Sequence, residues 1–136
     1  MISKSYKYNY ENLMNLLNET ATTVSLTIDL WSSRAKHGYL GVTATWITPD
    51  FKIKDVMLEI KYAPSPHTAK NISELLHQCI ISWNLEERVM AIVTDNGANI
   101  KKAIRIWDGI KHLSCFAHTL QFIVIQVLKV IKPYTK

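Results

Sequence analysis

The sequence predicts an α/β domain, a mixed β-sheet flanked by helices in which three antiparallel strands come first and helix-separated strands follow. Two observations predict it. Between Thr23 and Ile60 the chain runs in β-branched, alternating segments joined by short turns. From Ile72 onward apolar residues recur at helical spacing, interrupted by compact apolar runs. The size agrees, because 136 residues suit one domain with a sizeable core. A content of 48% hydrophobic and 20% charged residues is that of a globular chain rather than a disordered one.

The elements follow in order. Leu13, Leu16 and Leu17 stand at helical spacing behind Asn9 and Glu11, which predicts an amphipathic helix from about Asn9 to Thr20. Val24, Leu26, Ile28 and Leu30 then alternate with Ser25, Thr27, Asp29 and Trp31, the period of a first strand. A turn through Ser32 to Gly38 leads to a strand at Tyr39–Ile47, and Pro49-Asp50 turns the chain into Ile53–Ile60. Short connections make these three strands an antiparallel meander. After a loop at Ala63–Pro66, Ile72, Leu75, Leu76, Cys79, Ile80 and Trp83 mark a helix. Val89–Val93 reads as a buried strand closed by Thr94-Asp95-Asn96-Gly97, followed by a helix from about Asn99 to Trp107. Lys111–Cys115 is a further short strand. From Ala117 a last helix carries Leu120, Ile123, Val124, Val127, Leu128 and Ile131 to Pro133.

This order is an α/β architecture of the RNase H kind, with the fourth strand beside the first. Residues 1–22 are expected to be a helical lead-in, 23–132 a partial RNase H-like domain, and 133–136 a tail. Trp31 and Trp83 are expected in the core, as is Trp46 if its strand faces the helices. Trp107, beside Lys101, Lys102 and Arg105, is open to base stacking, with helix packing as the plainer role.

Sixteen Lys and Arg against eleven Asp and Glu leave a charge of +5, which favours a polyanionic partner. The basic residues are scattered, however, and a solvated surface accounts for most of them. Two cysteines, Cys79 and Cys115, do not form a secreted-type disulfide framework, so a reduced intracellular compartment is expected. The first residues lack the apolar segment of a signal peptide. The longest apolar stretch, Phe122 to Val130, falls short of the ~20 residues that span a bilayer, so no membrane crossing is expected.

Two acids stand out. Asp29 sits mid-strand, where Asp is disfavoured, and Asp95 sits at the carboxyl end of an apolar run, where α/β sheets present ligand-binding groups. With the first and fourth strands as neighbours, the two carboxylates converge. Close like charges are costly without a cation between them, and a hard, oxygen-preferring ion such as Mg²⁺ or Mn²⁺ resolves the cost. Taken separately, each has a plainer role: Asp29 as an exposed strand residue, Asp95 as the first residue of an Asx turn. His112, Cys115 and His118 are three potential zinc ligands within seven residues. No second Cys or His pair stands at finger spacing, so a packed strand end is expected instead.

At these residues the chain resembles hAT-family DNA transposases and the host proteins derived from them, including those with BED-type zinc fingers. The segments are Leu26-Thr27-Ile28-Asp29-Leu30-Trp31-Ser32-Ser33, Val93-Thr94-Asp95-Asn96-Gly97-Ala98-Asn99 and Cys115-Phe116-Ala117-His118-Thr119-Leu120. They come in the family's order and separation, and the resemblance covers roughly Val24 to Ile131. It implies cut-and-join chemistry on DNA in the nucleus, with metal ions held by Asp, Asp and Glu. Asp29 and Asp95 would be the first two ligands, for Mg²⁺ or Mn²⁺. Cys115 and His118 would lie near the DNA; the basic residues Lys101, Lys102 and Arg105 are open to phosphate contact by their charge, with a solvated helix face as the plainer role. No Asp or Glu follows Asp108, and in the family the third acid comes later, beyond a helical insertion. The expectation is a transposase fragment or remnant that does not catalyse alone. The competing readings are a non-catalytic DNA- or protein-interaction module, which could self-associate, and an RNase H-like nuclease with a different third ligand.

Overall fold

Burial alternates along the first strand: Val24, Leu26 and Ile28 are buried while Ser25, Thr27 and Asp29 are not. That period of two gives the strand one face for the core and one for solvent. The computed structural model describes residues 2–35 and 37–131. Its elements are α1 (Ile2–Thr20), β1 (Val24–Ser32), β2 (Gly38–Ile47), β3 (Ile53–Ala63), α2 (Ala69–Ser82), β4 (Val89–Thr94), α3 (Ala98–Ile104), β5 (Lys111–Ser114) and α4 (Phe116–Ile131). The expected element order and mixed α/β class are both present. The expected end of the last helix at Pro133, and the tail at 133–136, lie outside the described residues.

The five strands lie in the order β3-β2-β1-β4-β5. β1 pairs antiparallel with β2 and parallel with β4. β2 pairs antiparallel with β3, and β4 pairs parallel with β5. The strand ladders reach further than the sequence pattern did. Gly38 pairs with Ala63, so β3 continues three residues past Ile60. A bulge opposite Val42 and Thr43 gives β3 one extra residue, Leu58, and turns both Leu58 and Glu59 toward the covered side.

One face of the sheet is covered and the other is open. Leu17 of α1, Ile72, Leu76 and Ile80 of α2, and Ile100 and Ile104 of α3 close over Leu26, Ile28, Leu40, Val42 and Ile92. Burial, with Glu59 beside it, pushes the Cys79 thiol in this layer up to about 12, so Cys79 behaves as a packing group rather than a reactive one. On the opposite face Trp31, Ile47, Ile53, Met57, Ile60, Tyr62 and Leu113 are exposed. Every residue of α4 except Thr119 is exposed as well.

Two of the three tryptophans expected in the core are there, Trp46 and Trp83. Trp31 is not: it is 41% exposed. The alternation that buries Ile28 places Trp31 with Asp29 on the face that no helix covers. Trp107 packs rather than projects, donating from Nε1 to Ser73 Oγ at 2.9 Å and meeting the His77 ring edge-on.

α1 begins seven residues earlier than the leucine spacing predicts. Its added turns are largely solvated and have a Lys7–Glu11 pair at i,i+4, but Tyr10 packs on Trp83 and bonds to Ser82 O at 2.7 Å. The carboxyl end of the helix is tied down by Arg88. Its Nη1 donates to Leu17 O and Ala21 O at 3.0 and 3.2 Å, and its Nη2 donates to Asn18 Oδ1 at 2.9 Å. Leu17 O also accepts the Ala21 N–H at 2.9 Å, so Arg88 adds donors where the helix ends, and a cation there is favoured by the helix dipole. Arg88→Ala is therefore expected to lower stability by about 2 kcal/mol. Urea denaturation measures this, and an unchanged midpoint would contradict the assignment.

Candidate functional site

The parallel pairing of β1 with β4 aligns Leu26 with Ile92, Thr27 with Val93 and Ile28 with Thr94. The residues that follow these partners are Asp29 and Asp95. Paired positions in neighbouring parallel strands share a face; Asp29, three residues before the end of β1, and Asp95, the first residue past β4, are the next positions after the last paired couple, Ile28 and Thr94. Asp29 is exposed and Asp95 half-buried. Each has the plain feature foreseen for it: Asp29 occupies an exposed strand position, and Asp95 Oδ1 accepts the Gly97 N–H at 2.8 Å in an Asx turn. That turn engages one oxygen of Asp95 and leaves Oδ2 for a ligand.

The turn is held from two sides. Thr94 Oγ1 donates to Asp95 O at 2.9 Å and lies 2.8 Å from His112 Nε2. Since Asp95 O can only accept, the single hydroxyl proton goes there and His112 Nε2–H donates to Thr94. On the other side Asn96 Nδ2 donates to Thr119 Oγ1 at 3.2 Å, and Thr119 Oγ1 donates to Cys115 O at 3.0 Å. Cys115 N donates to Thr94 O at 2.7 Å. The second and third sequence blocks are thus one hydrogen-bonded unit. Thr119, the one residue of α4 that is not exposed, is the foothold of that helix.

The other candidate residues divide. Cys115 is half-buried and takes part through its backbone, while His118 is exposed on α4. Lys101 and Arg105, one turn apart on and after α3, lie near enough to act on His112, and Lys102 is exposed. Among the described residues no group of three or more His, Cys, Asp and Glu could hold a metal ion. His112, Cys115 and His118 accordingly do not converge as zinc ligands, and His112 is engaged with Thr94. For a hard cation the donor set at Asp29 and Asp95 does fit. Mg²⁺ is commonly held by one or two carboxylates, with water and substrate phosphate completing its shell.

A cleft of about 320 Å³ opens beside Asp95, lined by Leu30, His67, Gly97, Ala98, Asn99 and Ile100. Sequence reasoning missed His67. Its Nε2 bonds Ala63 O at 2.9 Å, and its backbone oxygen accepts from Asn99 Nδ2 at 2.9 Å. The ring occupies space that a Cβ at Gly38 would fill. Asn96 and Thr119 were quoted in the blocks but given no role. The turn sequence and the helix-start threonine were visible, and only the fold joins them.

The model of the ZBED1 RNase-like domain family matches residues 27–129. Among curated proteins, the chain is similar to zinc finger BED domain-containing protein RICESLEEPER 3 of Oryza sativa subsp. japonica. The two are 25% identical over 138 residues, covering 90% of this chain and 18% of that protein. It is 24% identical over 135 residues to the putative AC transposase of Zea mays, covering 89% of this chain and 17% of that protein. It is 33% identical over 99 residues to the Hobo transposase of Drosophila melanogaster, covering 71% and 15%. The chain spans about a fifth or less of the length of these relatives.

Two outcomes are expected of this geometry. Thr119→Val, which keeps the shape and removes the hydroxyl, should speed amide exchange in the first turns of α4 about fivefold, and Thr119→Ser should restore protection. Equal exchange in all three proteins would show that the bond holds nothing. The second concerns His112, whose pKa is lowered by burial first and then by Lys101 and Arg105. The unfolded chain therefore binds the proton more tightly, so the contribution of His112 is complete above about pH 6.5. It is lost as pH falls through the lower folded value. Urea midpoints between pH 7.5 and 5 should decline less steeply in His112→Gln than in the wild type, and identical slopes would refute the assignment.

Proposed function

The chain belongs to the ZBED1 RNase-like domain family and is hAT transposase-derived, and from that premise we propose that it binds a DNA end through a divalent cation held by Asp29 and Asp95. The observation that carries this reading is the register of β1 on β4, which brings the two acids to adjacent positions. Mg²⁺ or Mn²⁺ is the cation, because the donors are carboxylate oxygens on a protein surface. When bound, such an ion stabilises charge on phosphate oxygens and activates an attacking hydroxyl.

The chain's own residues supply the rest. The Asx turn and the Thr94–His112 bond fix the backbone of Asp95, so that Oδ2 is presented without reorganisation. Lys101, Lys102 and Arg105 provide positive charge around the neighbouring helix α3. Cys115 and His118 lie on the segment that follows β5. Among the described residues no third His, Cys, Asp or Glu joins these two carboxylates, so binding without cleavage is the activity proposed for this chain alone. DNA as the partner makes the nucleus the expected location. A second reading, an interaction module of the same descent, is favoured by the exposed apolar surface of α4, where Leu120, Ile123, Val124, Val127, Leu128 and Ile131 all face solvent.

Mn²⁺ titration followed by paramagnetic broadening tests the proposal. Wild-type amides around residues 28–30 and 94–97 should broaden selectively, and Asp29→Ala or Asp95→Ala should weaken the effect at least about tenfold. Broadening that is absent, or unchanged in the Asp29→Ala, Asp95→Ala double variant, would refute the metal site. Mn²⁺-dependent strand cleavage by the purified chain would overturn the claim that it binds only.

A further inference from the structure

Three aromatic side chains share one rung of the sheet. Trp31 of β1 pairs with Tyr39 of β2, and Tyr39 pairs with Tyr62 of β3. Trp31 and Tyr39 are stacked, with ring centroids 6.0 Å apart and planes 28° from parallel, and Tyr39 meets Tyr62 edge-on at 5.9 Å. The rung lies on the open face, where Trp31 is 41% and Tyr62 53% exposed. It begins two residues after Asp29, on the same side of β1. Gly41 makes the arrangement possible, because a Cβ there would stand 2.9 Å from the indole of Trp31. The absent side chain lets the indole lie flat across β2.

The turn beside the rung is basic, while Asp29 of β1 and Asp55 of β3 lie further along the same face. No Asp or Glu occurs between Asp29 and Asp50, whereas the β1–β2 turn contains Arg34 and His37. That turn is closed by bonds from Ser33 N to His37 O at 2.7 Å and from His37 N to Ser33 Oγ at 3.2 Å. They set His37 against Tyr62, with Nδ1 3.4 Å from the Tyr62 hydroxyl. Cross-strand aromatic pairing also stabilises a sheet, but pairing alone asks for neither the exposure nor the adjoining basic turn. Aromatic faces next to positive charge form the surface on which unpaired bases stack, whatever their sequence.

We propose that Trp31, Tyr39 and Tyr62 are a stacking platform for unpaired nucleotides of the DNA strand that reaches Asp29 and Asp95, with Arg34 and His37 facing its backbone. The assignment rests on the DNA-binding function proposed above and adds to it a preference for single-stranded over paired ends. The platform needs no metal.

The test is binding of an oligodeoxythymidylate of about 12 nucleotides, and of a duplex of the same length, to the full chain in EDTA. Tryptophan fluorescence and the indole N–H resonances are the readouts. Trp46 and Trp83 are buried and the Trp107 Nε1–H is bonded to Ser73 Oγ, so the Trp31 indole resonance, assigned by its loss in Trp31→Phe, stands apart from theirs. The expected result is quenching and a shifted Trp31 indole signal with the single strand, and weaker binding of the duplex. Tyr62→Leu should weaken single-strand binding about tenfold and Tyr62→Phe should restore it. Single-strand binding by wild type with an unmoved Trp31 signal would overturn the platform and leave the DNA-binding function standing, even if the leucine variant fails to fold. Failure of wild type to bind either DNA would overturn both. Normal DNA binding by Tyr62→Leu, with altered self-association in sedimentation, would make the rung a protein-packing surface and refute the proposal. Loss of Mn²⁺ binding alone would touch only the metal site, because this assay contains no metal.

Discussion

The parallel register of β4 on β1 is the constraint on which the rest of the site depends. β1 is the central strand, held by β2 on one side and β4 on the other. Burial of Leu26, Ile28 and Ile92 against the helices fixes which face of the sheet each side chain takes, since a slip of one residue would turn every side chain over. The paired couple that precedes Asp29 and Asp95, Ile28 and Thr94, is itself buried. Neither acid contributes to the choice. Like charges at neighbouring strand positions oppose each other, and Asp29 is exposed to water.

The two faces of the sheet divide the labour. The covered face holds the core, with α1, α2 and α3 over the strands and Arg88 fastening α1. The open face and the β4 end hold the polar and aromatic groups: Asp29, the Trp31 rung, and the turn latched by Thr94, Asn96, His112 and Thr119. α4 belongs to neither layer: its residues other than Thr119 are exposed, and Thr119 hydrogen-bonds to Asn96. A helix of this length gains little stability from its own backbone in water. Its link to Asn96 therefore sets the direction in which its apolar surface is presented.

Much of the fold was legible in the sequence, because period-2 and period-3.6 patterns report directly on strands and helices. The pairing of the first and fourth strands followed from the order of elements. The misreading of Trp31 has a clear cause. Alternation shows which residues share a face but not which face a helix will cover, and a tryptophan's size alone argued for burial. The early start of α1 was hidden because its first turns are mostly solvated and lack the leucine spacing. The roles of Thr119 and His67 were out of reach for a different reason. Each depends on a partner distant in sequence, 23 residues away for Asn96 and Thr119 and 32 for His67 and Asn99, and no local pattern encodes such a bond.

The central claim is that one cation is shared by Asp29 and Asp95. The most direct measurement is an anomalous difference map from crystals of this chain grown with Mn²⁺. The account predicts a peak between the two carboxylates, bonded to an oxygen of each at about 2.1 Å, with Asp95 Oδ1 still accepting from Gly97 N. Carboxylates pointing to opposite faces of the sheet, or a manganese peak bound by neither, would contradict it.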